Sequence, residues 1–412
     1  MSEPLPAGRI DNAPVLTTER WALTPAQQAT VVRELRFRYF KWDAFTGGVC
    51  RIVPETMVLS RSMHEEIVRI VEGLHRALER FERRVEGDSD ALRRLGIPPA
   101  LDTLMAAGER ETLQIARYDL FLTDEGRWMV SEFNEDAPGG FNECTGLPNL
   151  LGNPGRDLTW EGDLRRHVLD ALRPYKTVAL LYATAYAEDL QHMLILERWL
   201  QAEDHQTILG SPEHLRAGFR RPRILGTAID AAFRFFPGEW MPRLPNIKTW
   251  LKVARDLPVM NPLRRLVRQS KTMFALWQEE RFLDPQDRHL VEEHCPWTES
   301  FDAGNVPRLI AERERWVLKG AFGRMGDTVV IGALVTEKEW SEALARASVA
   351  PRDFCVQERF HVRPLLFEQG PLYPTIGAYV VNGRFAGYYS RAAARPLITH
   401  EAFHVATAVA TA

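Results

Sequence analysis

The chain has 412 residues, enough for two or three lobes rather than one ordinary domain. Hydrophobic residues make up 45% and charged residues 26%, the balance of a soluble globular protein. Lys and Arg number 52 against 55 Asp and Glu, and a net charge of -3 leaves no electrostatic footprint for nucleic acid or an anionic membrane.

The polar, Pro-rich start MSEPLPAGRIDNAP has no apolar h-region, so no secretory leader is expected. No apolar run approaches the roughly 20 residues of a membrane span. Cys50, Cys144, Cys295 and Cys355 are scattered, which fits reduced thiols in a cytoplasmic protein. Residues 1 to about 23 read as an extended lead-in. Thr24-Pro25-Ala26-Gln27 opens a helix as a capping box with Pro at its first position. Ser62-Met63-His64-Glu65 reads as a second capping box, and Ile67, Val71, Leu74, Leu78 and Phe81 form the apolar stripe of its helix. The first 110 residues are therefore expected to be a mainly helical region.

From Glu111 the period changes to two. Glu111 to Leu122 and Trp128 to Asn134 read as strands joined by a turn at 124–127. Thr177 to Tyr182 is a buried-strand run and Glu188 to Leu200 a helix, which suggests a small α/β lobe over 111–255. Four prolines in 242–262 mark its end. Beyond it we expect a helix over Leu263 to Glu280 and strands at Trp316–Lys319 and Thr328–Ile331. A helix at Glu337–Ala347 and strands at Phe354–Phe360, Thr375–Val381 and Arg384–Tyr389 complete an α+β lobe over 256–412 with an antiparallel sheet.

The register of the first hairpin carries chemistry. A two-residue loop at Glu125-Gly126 places Asp119 opposite Glu132 and Arg117 opposite Asn134, all on one sheet face above Leu113 and Ile115. Facing carboxylates repel. Two carboxylates and an amide oxygen suit Mg²⁺, which completes its shell with water and phosphates; a solvated surface hairpin is the alternative. The acidic, Gly-rich loop at 135–143 favours the first reading, because a tight turn accounts for Pro138-Gly139 but not for Glu135, Asp136 and Glu143.

Lys319-Gly320-Ala321-Phe322-Gly323-Arg324-Met325-Gly326 joins two expected strands and could form a backbone nest over phosphates. It is neither a Walker A loop nor a dinucleotide fingerprint, and a plain Gly-rich hairpin reads equally well. Lys271 on its expected helix, and Gln357-Glu358 on a strand, are further candidate nucleotide contacts; an exposed lysine and edge-strand polar residues are the bland alternatives.

Taken in order, these segments resemble the glutathionylspermidine synthase family of ATP-grasp ligases. The matching stretches are RYD at 117–119, EFNEDAPGG with Glu143 at 132–143, FRFFPGEW at 233–240, SKTMFALW at 270–277, VLKGAFGRMGDTVVIG at 317–332, VQE at 356–358, IGAYVVNGRFAG at 376–387 and RAAARPLIT at 391–399. The resemblance implies a glutathione synthetase-like ATP-grasp fold in which a helical N-terminal part and a pre-ATP-grasp α/β lobe precede the nucleotide lobe. The metal residues come before the nucleotide lysines, the permuted order of such ligases.

The resemblance assigns Asp119, Glu132 and Asn134 to two Mg²⁺ ions. Lys271, Lys319, Gly320, Gly323, Arg324, Gly326, Gln357, Glu358, Leu397, Ile398 and Thr399 fall to ATP. Arg117 and Arg391 stand beside the reacting carboxyl group. Ala137, Gly139, Glu143, Glu188, Asp189 and Arg234 fall at substrate-contact positions. The implied activity is amide formation through an acyl phosphate, from a small peptide or amino acid and an amine.

The chain departs from the family pattern in three places. Ala137 and Gly139 stand where small hydroxyl residues occur, Gly320 follows the lysine where relatives often have proline, and no amidase domain is expected ahead of the synthetase part. Ligase chemistry therefore carries over better than glutathione and spermidine do. Modification of a larger peptide, phosphorylation of a substrate, and nucleotide binding without catalysis are the competing readings.

Overall fold

The computed structural model describes residues 16–101, 105, 113–253, 256–323, 326 and 328–411. The expected strand start at Glu111 and the candidate Arg324 lie outside the described residues.

A nine-stranded sheet organises the molecule. Its main path runs Leu16–Arg20, Ile52–Leu59, Phe403–Ala410, Arg384–Ala393, Gly370–Val381, Ile115–Leu122 and Trp128–Asn134. Phe403–Ala410 lies parallel to Ile52–Leu59, and the other neighbours on this path are antiparallel. The N-terminal hundred residues thus supply two sheet strands besides their helices, and those strands pair with the C-terminal end of the chain.

Period-two alternation divides the strand Ile115–Leu122 between two cores. Ala116, Tyr118, Leu120 and Leu122 join the larger one, with the helix Arg61–Val85. Ile67, Val71, Leu74, Leu78 and Phe81 of that helix are fully buried there, each contributing about 1.5–3 kcal/mol of apolar burial. Ile115 joins the second core with Phe141, Tyr379 and Phe233. Arg117 and Asp119 share the face of Ile115, so the second core is the floor on which they stand.

Two four-stranded sheets accompany the large one. The first is parallel, in the order Val259–Met260, Ala231–Arg234, Thr177–Leu181, Gln206–Gly210, with the helix Ala187–Gln201 following Thr177–Leu181. The second is antiparallel, in the order Thr298–Ser300, Phe354–Glu358, Trp316–Gly320, Val329–Ile331, with the helix Glu337–Val349. Trp316, Leu318 and Val356 pack on Trp340 and Leu344 of that helix. Val317, Lys319 and Gln357 therefore face the other way.

Three local expectations are corrected. The helix Pro25–Arg38 has the Thr24/Gln27 capping box, but the next helix starts at Arg61 and is capped by Ser60, whose hydroxyl accepts from the Met63 amide. The hydroxyl two residues upstream of Ser62 meets the cap geometry because Met63 is then the third helical residue. The expected helix over Leu263–Glu280 is broken into Leu266–Gln269 and Met273–Trp277. Ser270 between them is extended, its hydroxyl donates to the Leu95 carbonyl, and the Lys271 amide donates to the Ala321 carbonyl. Tertiary hydrogen bonds outweigh helix propensity there.

Third, the hairpin turn is a three-residue loop closed by Gly126 at φ 80°, with the Gly126 amide bonded to the Thr123 carbonyl. A bulge at Ser131 then restores the register, so Asp119 still faces Glu132 and Arg117 still faces Asn134.

Candidate active site

The exposed edge of the acidic hairpin, the broken helix and the small antiparallel sheet enclose a cavity of about 390 Å³. At its floor Arg117 grips Asp119 with both arms: Nε donates to Oδ1 at 2.7 Å and Nη2 to Oδ2 at 3.0 Å. Arg391 Nη2 donates to the same Oδ2 at 2.7 Å and Asn134 Nδ2 at 3.2 Å. Burial alone would raise the Asp119 pKa, but the two guanidinium groups hold it below the usual carboxylate range. Arg117 Nη1 also donates to the Gly139 carbonyl at 2.6 Å, which ties the loop after the hairpin to the site.

Both guanidinium groups lie over the Tyr389 ring, 5.2 and 5.3 Å from its centroid. Gly140, at φ 104°, passes so close to that ring that a Cβ there would stand 2.4 Å from it.

Glu132, across the hairpin, pairs with Lys271 Nζ at 3.0 Å. The break at Ser270 is what presents Lys271 here, and its Nζ also donates to the Gly323 carbonyl at 3.2 Å. Lys319 Nζ donates to the carbonyl of Ser131, the bulged residue, at 2.9 Å. No carboxylate lies within ion-pair distance of Lys319 among the described residues. Burial, with Lys271 beside it, lowers its pKa to about 8. Four cations thus face two carboxylates, an arrangement suited to a polyanionic ligand.

Gly323 and Gly326 line the same cavity, as do Leu397, Ile398 and Thr399. Gly326 has φ 80°, and a Cβ there would be 3.0 Å from the Ile398 carbonyl, so Gly326 packs closely on that segment. Gln357 lines the cavity and donates to Thr298 Oγ1. Glu358 does not line it: one step along the strand it turns outward to Arg315 at 3.1 Å. Gly320 is absent from the wall too; a Cβ there would stand 2.9 Å from the Thr328 side chain.

The cavity wall also carries acidic groups. Glu143, Glu188 and Asp189 line it with Ala137 and Gly139. Lys41, Asp43, His192 and His404 are there as well, and no sequence motif had pointed to them. Glu143 Oε1 meets Lys41 Nζ at 2.7 Å and His404 Nδ1 at 3.3 Å. Burial opposes the Glu143 charge, yet the Lys41 ammonium group brings its pKa down to about 2. Burial with Lys41 nearby lowers His404 to about 3, so its imidazole is neutral. Neutral His192 donates through Nδ1 to the Glu188 carbonyl and accepts the Gly140 amide at Nε2, both at 2.7 Å.

Arg234 is a correction. It is 1% exposed and off the cavity wall, bound to Asp136, the Phe236 carbonyl and the Asn261 carbonyl. It braces the loop after the hairpin instead of lining the substrate space.

The donor set tests the implied metal. Asp119, Glu132 and Asn134 supply hard oxygens on one face, as Mg²⁺ requires, with no thiolate or imidazole among them. Among the described residues no group of three His, Cys, Asp or Glu side chains is arranged to hold a metal, so any such site depends on the Asn134 amide and on ligand oxygens. No helix among them is long and apolar enough to cross a membrane.

A protein-family model described as glutathionylspermidine synthase preATP-grasp matches residues 27–410. Among solved structures, the fold is similar to that of a glutathione synthetase-like effector from Globodera pallida in its apo form. Identity there is 11%, over 93% of this chain and 97% of that one, with a TM-score of 0.63. A putative gamma-glutamylcysteine synthetase from Methylobacillus flagellatus KT matches at 13% identity, over 78% and 84% of the two chains, with a TM-score of 0.44. No curated protein matches the chain.

Proposed function

The chain belongs to the glutathionylspermidine synthase preATP-grasp family, and on that premise we propose that it is an ATP- and Mg²⁺-dependent ligase joining a carboxylate to an amine. The observation that carries the reading is the charged lining of one cavity. Arg117, Arg391, Lys271 and Lys319 line it together with Asp119, Glu132, Glu188 and Asp189.

A carboxylate does not react with an amine at neutral pH, so it must first be activated. In this reading Lys319 and Lys271 hold the nucleotide phosphates, with Gly323 and Gly326 closing over them and Gln357 and Leu397–Thr399 facing the base and ribose. Asp119, Glu132 and Asn134 would hold Mg²⁺, which would supply neutralisation of the phosphate charge. Arg117 and Arg391 orient the acceptor carboxylate, then stabilise the charge of the transferred phosphoryl group and of the tetrahedral adduct. The amine attacks the acyl phosphate, phosphate leaves and an amide remains. The carboxylates of the lining suit the positive charge of an amine before attack, and closure of the Gly-rich loop would keep out the water that would hydrolyse the acyl phosphate.

The carboxylate partner is a small peptide or amino acid, because the cavity is of small-molecule size. The hydroxyl contacts missing at Ala137 and Gly139 argue against glutathione itself. A Cβ at Gly139 would lie 3.2 Å from His192 Nε2, so His192 crowds the space such a side chain would enter.

The test is a screen for ADP release over pairs of amino acids or short peptides with amines, followed by product mass. A product lighter than the sum of its substrates by one water, formed only when both are present, is expected. A phosphorylated product without condensation would sink the reading.

A further inference from the structure

Each carboxylate at the candidate metal position already has a cationic partner from this chain. Both oxygens of Asp119 are taken: Arg117 donates to each, and Arg391 and Asn134 Nδ2 add to Oδ2. Asn134 thus turns its amide nitrogen, not its oxygen, toward Asp119. Glu132 is held by Lys271 at 3.0 Å. A divalent cation arriving alone would have to displace these partners and leave Arg117 and Lys271, which are 7% and 3% exposed, without counter-charge. Uncompensated buried charge is strongly unfavourable.

Lys319 differs from Lys271. Equally buried, it donates to a backbone carbonyl only, and no described carboxylate pairs with it. An incoming phosphate can therefore engage Lys319 without breaking an ion pair. Lys271 Nζ sits between Glu132 and the Gly323 carbonyl, so it can exchange Glu132 for a phosphate oxygen while staying in place.

We infer that the metal site is latched shut in the nucleotide-free protein and that nucleotide phosphates open it by exchanging ion-pair partners. Lys319 is the docking cation, and Lys271 is the latch whose transfer to phosphate frees Glu132. Nucleotide binds first, and the cation enters with it or after it. The inference rests on the nucleotide reading proposed above.

The full chain is titrated with Mn²⁺ in the absence of nucleotide, and bound metal is read by electron paramagnetic resonance. The wild-type protein is expected to bind Mn²⁺ at least tenfold more weakly than the Lys271→Met variant. A Lys271→Gln variant should repeat the gain if the first misfolds, and adding Glu132→Gln should abolish it. Equal Mn²⁺ affinity in wild type and both folded Lys271 variants would overturn the latch. In parallel, calorimetry with the non-hydrolysable analogue AMP-PNP and Mg²⁺ tests the premise. Binding of the analogue with no gain at Lys271 defeats the latch alone, whereas no binding at all defeats the nucleotide reading and the latch with it.

Discussion

Lys319 is a buried ammonium group whose hydrogen-bond partner is a carbonyl, so its charge is open to change with pH. Its folded pKa of about 8 lies below the ordinary lysine value of 10.5 because burial penalises the charge. Phosphate binding needs the charged form, so nucleotide affinity is expected to fall as pH rises through about 8. Binding near pH 8 should take up protons, which calorimetry in buffers of different ionisation enthalpy detects. The stability effect has the opposite sign. Between about 8 and 10.5 the unfolded chain holds more protons than the folded one, so this group's contribution to stability rises with pH across that window. A Lys319→Met variant should lose the pH-dependence of binding along with most of the affinity.

At this scale the hairpin residues were legible in the sequence, because their side-chain direction follows from strand alternation alone. Lys41 and His404 were not. They reach Glu143 from near opposite ends of the chain, and no local spacing encodes that meeting.

Among the elements, the helix Arg61–Val85 carries the largest share of the main core, and its start was read two residues late. Ser60 and Ser62 are both hydroxyl residues ahead of the same apolar stripe, and only the backbone decides which one caps. Ser60→Ala is expected to cost about 1 kcal/mol in urea denaturation, whereas Ser62→Ala should cost no more than about 0.5 kcal/mol. Equal losses would contradict the assigned cap.

The hairpin shows how a correct register can follow from an incomplete picture. The loop is one residue longer than a two-residue turn, and the bulge at Ser131 absorbs the difference. The bulge also frees the Ser131 carbonyl for Lys319. The break at Ser270 was hidden for a related reason: SKTMFALW has ordinary helical composition, and the bonds that unwind it come from Leu95 and Ala321.

Across the whole molecule, the helix Arg61–Val85 is tied to the chain leading into Lys271 by a buried cluster. Glu82 accepts from Arg265 at 2.6 Å, lies 3.1 Å from Arg264 and contacts Arg268. Arg268 in turn approaches Glu135, which accepts from Tyr118 and Gln114 in the hairpin region. Glu82→Leu would leave Arg265 and Arg268 buried without their carboxylate and is expected to lower stability by about 3–5 kcal/mol, measured by chemical denaturation. A loss under about 1 kcal/mol would show that the cluster does not join the two elements.

The strand–helix order of Thr177–Leu181 and Ala187–Gln201 and the antiparallel strands Trp316–Gly320, Val329–Ile331 and Phe354–Glu358 could be read from periodicity, whereas Gly370–Val381 and Arg384–Ala393, expected beside them, belong to the large sheet. The large sheet could not, since it pairs Ile52–Leu59 with Phe403–Ala410 across most of the chain. Arg391 reaches Asp119 only because Gly370–Val381 lies between their strands in that sheet.

The central claim is that the carboxylate is activated by phosphorylation before the amine attacks. Transfer of oxygen isotope tests it most directly. With a carboxylate substrate labelled with ¹⁸O in both oxygens, the account predicts one labelled oxygen in the phosphate released per amide formed, read by mass spectrometry. Phosphate released without label while amide forms would contradict it.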